Sequence, residues 1–228
     1  MNETPTRYHA QHRSEVSPFL PARCTRVLEV GCGEGGFAAN VRGQREYWGI
    51  EPSAAAGEVA RGRLDRVLTG TYEQVQHALP ADYFDLVICN DVIEHMADHE
   101  DFLAGLRKVM VADACMVGSI PNVRFIGNLY ELLLNKDWRY RSDGILDRTH
   151  LRFFTEKSIR RTLEASGYVV EELRGINCAS VLSSGVRKAI VRVALGAIQF
   201  GTLGYFNDVR FLQFAFRARR AERNVRDP

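Results

Sequence analysis

The sequence has few cysteines, few lysines and no long uninterrupted apolar segment. Its 228 residues include five cysteines, widely spaced and without a C-x-x-C pair, so we predict neither a disulfide framework nor a zinc knuckle. A reducing, cytoplasmic environment is expected. The longest apolar stretch covers residues 193–206 and is interrupted by Gln199; it is shorter than the roughly 20 residues that span a bilayer. The polar N-terminus has no apolar core, so we expect no secretory signal.

Charge is nearly balanced in total but uneven along the chain. Lys and Arg number 30 and Asp and Glu 28, a formal net charge of +2, which is too small for a protein that mainly covers a phosphate backbone. Residues 187–228 contain nine basic and three acidic residues, net +6. We therefore expect no nucleic-acid partner. The apolar helix at 186–206 is compatible with a lid or with peripheral contact with a membrane.

Apolar runs alternate with helical patterns along most of the chain. The runs lie at residues 27–30, 47–51, 67–69, 84–90, 114–120, 169–175 and 211–218. Helical patterns follow at 37–41, from Ser53 with Val59 facing inward, at 72–79, at 99–111 and from Thr155 to 166. This alternation predicts an α/β fold, a Rossmann-like parallel sheet with helices on both faces. Residues 122–152 break the rhythm and form an insertion.

A glycine cluster follows the first apolar run. Gly31, Gly33 and Gly36 fit G-x-G-x-x-G, and Glu51 lies 20 residues after Gly31, the spacing of a dinucleotide fingerprint. The same residues also read E-x-G-C-G-x-G from Glu29 onward. In both patterns the glycines permit a tight turn and the acid accepts ribose hydroxyls, so these residues alone leave NAD and other nucleotides open.

Further motifs along the chain distinguish between NAD and another nucleotide cofactor. FDLVICNDVIEHM at 84–96, GSIPNVRFIGNLYELL at 118–133 and GILDRTHLRFFTEKSIRRTLEASGY at 144–168 follow the glycines in order. With E-x-G-C-G-x-G, the chain resembles the class I S-adenosylmethionine-dependent methyltransferases, and within them a bacterial subgroup linked to surface-polysaccharide and glycosyl-transfer pathways. The resemblance implies a single domain over 1–228, with seven strands, the last antiparallel. It also implies an N-terminal cap at 1–22 and an acceptor pocket in the insertion.

The resemblance also implies which residues bind S-adenosylmethionine. The expected set is Glu29, Gly31, Gly33, Gly35, Glu51, Thr71, Tyr72, Asn90 and Asp91. Glu51 is expected to hold the ribose diol, and Asp91 the cofactor's ammonium group. Thr71 stands where the family commonly has an acid, and Tyr72 either stacks on adenine or packs internally. Tyr8 and Arg13 are candidates for covering the site.

Two histidines are candidates for the catalytic base. His150, in the insertion, is the first candidate and His95 the second, each with a purely structural role as the alternative. Asp91, Glu94 and His95 show D-x-x-E-H spacing, which with His150 is similar to the ligand set of metal-dependent small-RNA 2′-O-methyltransferases and some ubiquinone-pathway enzymes. Those families have Glu in place of Asp91. We therefore predict no metal, and activity that survives chelation.

The predicted function is O-methylation of a small polar acceptor, such as a sugar of a surface glycan or a lipid-linked sugar. This choice of acceptor rests on the resemblance, and the aromatic and Arg side chains of the insertion suit a sugar. The alternatives are a metal-dependent O-methyltransferase acting on small RNA or quinone precursors, and a non-catalytic nucleotide-binding module.

Overall fold

The computed structural model describes residues 12–43, 45–179, 193, 195–197 and 199–221. Its strands are β1 Arg26–Val30, β2 Glu46–Glu51, β3 Arg66–Thr69, β4 Phe84–Asn90, β5 Met110–Pro121, β6 Tyr168–Cys178 and β7 Phe211–Arg220. Its α-helices are α1 Ala54–Ala60, α2 Tyr72–Val75, α3 His99–Val109, α4 Ile126–Leu133 and α5 Glu156–Ala165. Short 3₁₀ helices cover Ser14–Phe19, Gly36–Asn40, Gln76–Ala78, Ile93–His95 and Asn207–Arg210.

The strands form one seven-stranded sheet in the order β3-β2-β1-β4-β5-β7-β6. The pairs from β3 to β5 are parallel, whereas β7 is antiparallel to both β5 and β6. The predicted Rossmann-like sheet with an antiparallel last strand is therefore confirmed. Because the strand order reverses between β1 and β4, a cleft opens at their carboxyl ends, where open α/β sheets bind ligands.

Two helix starts and one helix end follow the predicted local chemistry. The Ser53 hydroxyl accepts a hydrogen bond from the Ala56 amide at the start of α1, and the Thr155 hydroxyl accepts one from Ser158 at the start of α5. Gly167, with φ of +80°, follows the end of α5.

Two local predictions were wrong. The helix expected at 37–41 is a 3₁₀ turn at Gly36–Asn40. Val59, expected to face inward, is 44% exposed because α1 packs on the sheet through small residues instead. A Cβ at Gly57 would lie only 3.2 Å from Thr69 Oγ1, so this face of α1 is close to β3 and Val59 points away.

Apolar side chains cover both faces of the sheet. One cluster joins Leu28 of β1 to α3 and α5 through Phe102 and Ile159. The other joins Val27 of β1 to the N-terminal segment through Val16 and Phe19. Successive residues of β1 thus point to opposite faces, as the pleat requires.

The insertion and the C-terminal region share a small third cluster. It contains Ala179, Leu195 and Val209, against which Phe125 and residues of α4 pack. Of the apolar helix predicted at 186–206, residues 186–192, 194 and 198 lie outside the described residues. In the part of the chain that the structure describes, no helix has the length and apolarity to cross a membrane. Cys24, Cys32, Cys89 and Cys115 are free thiols.

Candidate active site

The glycine loop follows β1 at the strand-order reversal. Gly31, Gly33 and Gly35 have φ values of +71°, +53° and +77°, a region that favours glycine. The Gly31 amide donates a 2.8 Å hydrogen bond to the Ile50 carbonyl of β2. A Cβ at Gly31 would lie 2.9 Å from Cγ2 of Val92, just after β4. The loop therefore presents its backbone directly to the cleft between β1 and β4.

Glu51 ends β2 and holds this loop in place. One carboxylate oxygen accepts from the Gly33 amide at 2.8 Å and the other from the Ser53 amide at 2.9 Å. The side chain is buried. A carboxylate offers about four lone-pair positions, so two remain for the hydroxyls of a ribose. The arrangement is compatible with the predicted role of Glu51, which stays a prediction.

Glu29 lies in β1 beneath the loop. Its carboxylate accepts a 2.8 Å hydrogen bond from the Tyr47 hydroxyl and is 3% exposed. Burial, partly offset by this hydrogen bond, raises the pKa of Glu29 to about 8. This hydrogen bond joins β1 to β2 near the loop, and the predicted part of Glu29 in the cofactor site stays a prediction.

The ring of Tyr72 packs inside the protein, which is one of the two roles that the sequence left open for it. Tyr72 is 4% exposed and packs edge-to-face on Phe102, with ring centroids 4.8 Å apart. Its hydroxyl lies against α3, where a Cβ at Gly105 would be 2.6 Å away. Tyr72 is thus a core residue and is too buried to stack on a base. Thr71, beside it at the start of α2, is exposed.

Asp91 is held by three protein donors. Its carboxylate accepts hydrogen bonds from Arg13 at 2.6 Å, Gln213 at 2.7 Å and Ser119 at 2.8 Å. About one of its four lone-pair positions remains for a ligand, so its predicted contact with the ammonium group of the cofactor stays a prediction. The neighbouring Asn90 has a buried side-chain amide with no hydrogen-bond partner among the described residues, so Asn90 also offers a polar group at the end of β4.

Arg13 contacts the residue that follows β4, and its predicted role of covering the site stays a prediction. Besides Asp91, its guanidinium donates to Ser119 at 2.9 Å and Glu15 at 3.0 Å. The adjacent His12 ring nitrogen lies 3.1 Å from the Gly36 carbonyl, on the opposite side of the cleft. The N-terminal segment therefore bridges the two sides of the cleft. Tyr8, the other candidate, lies outside the described residues.

Sequence reasoning missed two of the residues that hold Asp91. Ser119 and Gln213 come from β5 and β7, far from Asp91 in sequence. Gln213 carried a usable signal, since it is a polar residue within the apolar run FLQFAF and is buried. A buried amide needs hydrogen-bond partners.

Glu94, His95 and His150 form a second cluster, next to the loop after β4. Glu94 and His95 lie on the 3₁₀ turn Ile93–His95, and His150 comes from the insertion. The two imidazole rings are edge-to-face with centroids 4.6 Å apart, and His150 Nε2 is 4.0 Å from Glu94 Oε1. The structure thus brings together both predicted histidines.

Hydrogen bonds orient both rings. Nδ1 of His150 lies 2.9 Å from the Ile145 carbonyl, and Nδ1 of His95 lies 3.1 Å from the Thr149 carbonyl. A carbonyl oxygen can only accept, so Nδ1 carries the hydrogen in each ring and Nε2 of a neutral ring has a free lone pair. Burial and the nearby His150 lower the pKa of His95, which favours its neutral form.

Glu94 is the most unusual member of this cluster. It is 1% exposed, and neither carboxylate oxygen has a hydrogen-bond partner among the described residues. Burial and the charge of Asp91 raise the pKa of Glu94 well above its usual value, while Arg13 acts in the opposite direction. The cluster therefore combines a buried carboxyl group with two imidazole lone pairs, a set that can accept a proton or bind a cation.

The chain belongs to the family described as "Methyltransferase domain", whose pattern matches residues 4–173. The fold and the family are those of S-adenosylmethionine-dependent methyltransferases, with S-adenosylmethionine as cofactor. The fold is similar to that of a methyltransferase from Archaeoglobus fulgidus (TM-score 0.64, 20% identity, 93% of each chain covered). It is also similar to that of a putative S-adenosylmethionine-dependent methyltransferase from Listeria monocytogenes (TM-score 0.63, 16% identity, covering 94% of this chain and 99% of that one).

Curated relatives agree with the class. A mitochondrial ubiquinone biosynthesis O-methyltransferase of Schizosaccharomyces pombe is 24% identical over 158 residues, covering 66% of this chain and 57% of that protein. A probable S-adenosylmethionine-dependent methyltransferase of Mycolicibacterium smegmatis is 26% identical, covering 74% of this chain and 62% of that protein. The chain thus spans about three-fifths of the length of these relatives.

Proposed function

We propose that this protein transfers a methyl group from S-adenosylmethionine to a hydroxyl group of a small polar acceptor. The observation that supports it best is His150, whose Nδ1 is held by the Ile145 carbonyl while Nε2 faces Glu94 beside the loop after β4. Methyl transfer is a displacement at a sulfonium carbon, so the protein mainly aligns the nucleophile and excludes water. A hydroxyl nucleophile also needs a base, which His150 Nε2 provides.

We further propose that the acceptor is a sugar of a surface glycan, free or linked to a lipid. This rests on the resemblance of the sequence to the polysaccharide-linked subgroup, and an aromatic cluster in and beside the insertion supports it. Phe153 lies between Trp138 and Tyr140, with centroid distances of 5.4 and 6.4 Å, and Tyr140 is 45% exposed. Accessible aromatic rings with polar edges suit the faces and hydroxyls of a sugar.

Release of S-adenosylhomocysteine tests the proposal against its alternatives. The purified protein is incubated with S-adenosylmethionine and, separately, sugar nucleotides, lipid-linked sugars, quinone precursors and short RNAs. We expect turnover with a sugar acceptor, and a mass increase of one methyl group on its hydroxyl. Turnover confined to quinone precursors or RNA would contradict the sugar assignment, and cofactor binding without turnover on any acceptor class would favour a non-catalytic module.

A specific observation supports a second candidate function, which is the metal-assisted O-methylation of a quinone precursor. Ligand atoms of Glu94, His95 and His150 all lie within 4.8 Å of one another. Each imidazole donates its other N–H to a carbonyl, as metal-binding histidines commonly do, and Glu94 has unpartnered oxygens. These residues fit a divalent cation, which when bound would lower the pKa of an acceptor hydroxyl.

We nevertheless expect turnover to survive chelation. Asp91, the fourth candidate ligand, is engaged by Arg13, Ser119 and Gln213, and the charge of Arg13 reaches Glu94. A nearby guanidinium disfavours a second cation. Activity measured after EDTA treatment, with Mg²⁺, Mn²⁺ and Co²⁺ added back separately, checks this.

Two results would instead establish the second candidate. The first is loss of turnover restored by one ion. The second is calorimetric binding of Mn²⁺ to the wild type but not to Glu94→Gln, which gives a readout that does not depend on activity.

A further inference from the structure

An apolar turn projects from the protein immediately before β7. We call residues 200–206, which comprise the end of a helix and the turn that follows it, the apolar turn; its side chains Phe200, Leu203 and Tyr205 are 87%, 96% and 74% exposed. A Cβ added to Gly201 or Gly204 would meet no atom within 4 Å. The turn therefore stands clear of the fold, and large apolar side chains at its surface call for a binding partner.

A basic side chain lies beside this turn. Nζ of Lys157 lies 6.0 Å from the ring of Tyr205. The acid that follows the turn, Asp208, is paired with Arg124 at 2.5 Å, so its charge is compensated. The sequence has no charged residue from 193 to 207. An apolar tip beside a lysine, with Asp208 neutralised by Arg124, complements a surface that is apolar inside and anionic outside.

We propose that the apolar turn anchors this protein to the surface of an anionic lipid bilayer. Phe200 and Leu203 would enter the boundary between headgroups and acyl chains, and Tyr205 would remain at headgroup level, as amphipathic aromatic residues do. Interfacial binding scales with buried apolar area and with attraction to anionic lipid. A second copy of the chain fits less well, because a stable protein interface buries about 800 Å² on each partner, and a projecting turn with three large side chains offers little complementary surface.

The base of the turn is attached to the insertion. The guanidinium of Arg124 lies 5.2 Å from the ring of Phe206, and the Asn122 side-chain amide donates to the carbonyls of Asp208 at 2.9 Å and Phe211 at 3.0 Å. Anchoring therefore holds the insertion near the bilayer, where a lipid-linked acceptor would be found. That consequence rests on the proposed function, whereas membrane binding does not.

Co-sedimentation with vesicles tests the anchor without any acceptor. The full chain is mixed with phosphatidylcholine vesicles with and without phosphatidylglycerol. We expect binding to the anionic vesicles that weakens with added salt. Phe200→Ser and Leu203→Ser should each reduce binding by about tenfold or more, because each removes a buried apolar side chain from the lipid. Val59→Ser, at an exposed valine on α1, is the matched control and should bind like the wild type.

S-adenosylhomocysteine binding serves as the folding control for every variant. Absence of sedimentation with anionic vesicles would overturn the proposal, as would equal loss in Val59→Ser and Leu203→Ser. A wild-type dimer in light scattering that Leu203→Ser converts to a monomer, without vesicle binding, would also overturn it and assign the turn to contact between copies. If the Leu203→Ser variant methylates a soluble acceptor at the wild-type rate, the apolar turn binds membranes independently of the active site.

Discussion

Replacing His150 with alanine is expected to lower turnover by roughly 10²–10⁴-fold, the usual contribution of a general acid or base. The Nδ1 hydrogen bond to the Ile145 carbonyl holds the ring so that Nε2 faces the Glu94 side of the site. Affinity for S-adenosylmethionine should hardly change, because His150 comes from the insertion and not from the glycine loop. Single-turnover kinetics together with calorimetry measure the two quantities separately.

A purely structural His150 would give a different pattern. Loss of its buried hydrogen bond would cost about 1 kcal/mol of stability and would weaken both binding functions together. His99→Ala is a matched control, since His99 packs edge-on against Phe154, with ring centroids 5.9 Å apart. A base works only when unprotonated, so the wild-type rate should fall as pH is lowered, and this fall should disappear in a variant with residual activity. Near-normal turnover of folded His150→Ala would leave His95 as the remaining candidate base.

The second large effect is expected at Glu51. Glu51→Ala should weaken S-adenosylmethionine binding by about 1.5–3 kcal/mol, the range for hydrogen bonds to a charged group. Two contributions combine in this value: the ribose hydroxyls lose their acceptor, and the amides of Gly33 and Ser53 lose theirs. Glu51→Gln separates the two, because its amide oxygen can still accept from one loop amide while the charge is gone. Titration calorimetry measures both variants.

The control for Glu51 is Glu58→Ala. Glu58 is on the surface of α1 and forms an exposed ion pair with Arg61, so its removal should leave cofactor affinity unchanged. A parallel titration with NAD should show no comparable binding. Unchanged affinity of Glu51→Ala would remove Glu51 from the cofactor site.

Local signals were sufficient to predict most of the fold. Apolar runs located the strands, and the hydroxyls of Ser53 and Thr155 marked two helix starts that the structure confirms. Such signals are readable because each depends on residues within three or four positions. Local signals do not predict the orientation of Val59. This orientation depends on how closely Gly57 brings α1 to β3, and the helical pattern alone does not indicate that distance.

Long-range pairing explains what local patterns did not predict at the site. The partners of Asp91 include Arg13 and Gln213, which lie 78 and 122 residues away in sequence. Tyr72 follows the expected strand, but its ring enters the core because Gly105 of α3 leaves room for the hydroxyl. The meeting of His95 and His150 was equally invisible to local patterns, since spacing cannot show that the insertion folds back onto the loop after β4.

We expect the glycine loop and the cluster of Glu94, His95 and His150 to form one active site. A crystal structure with S-adenosylhomocysteine would show whether they do. We expect ribose hydroxyls within hydrogen-bond distance of the Glu51 carboxylate, the amino-acid part near Asn90, and the sulfur directed toward the two imidazole rings. A ligand whose sulfur points away from His95 and His150, with protein between them, would show that the loop and the cluster are separate sites.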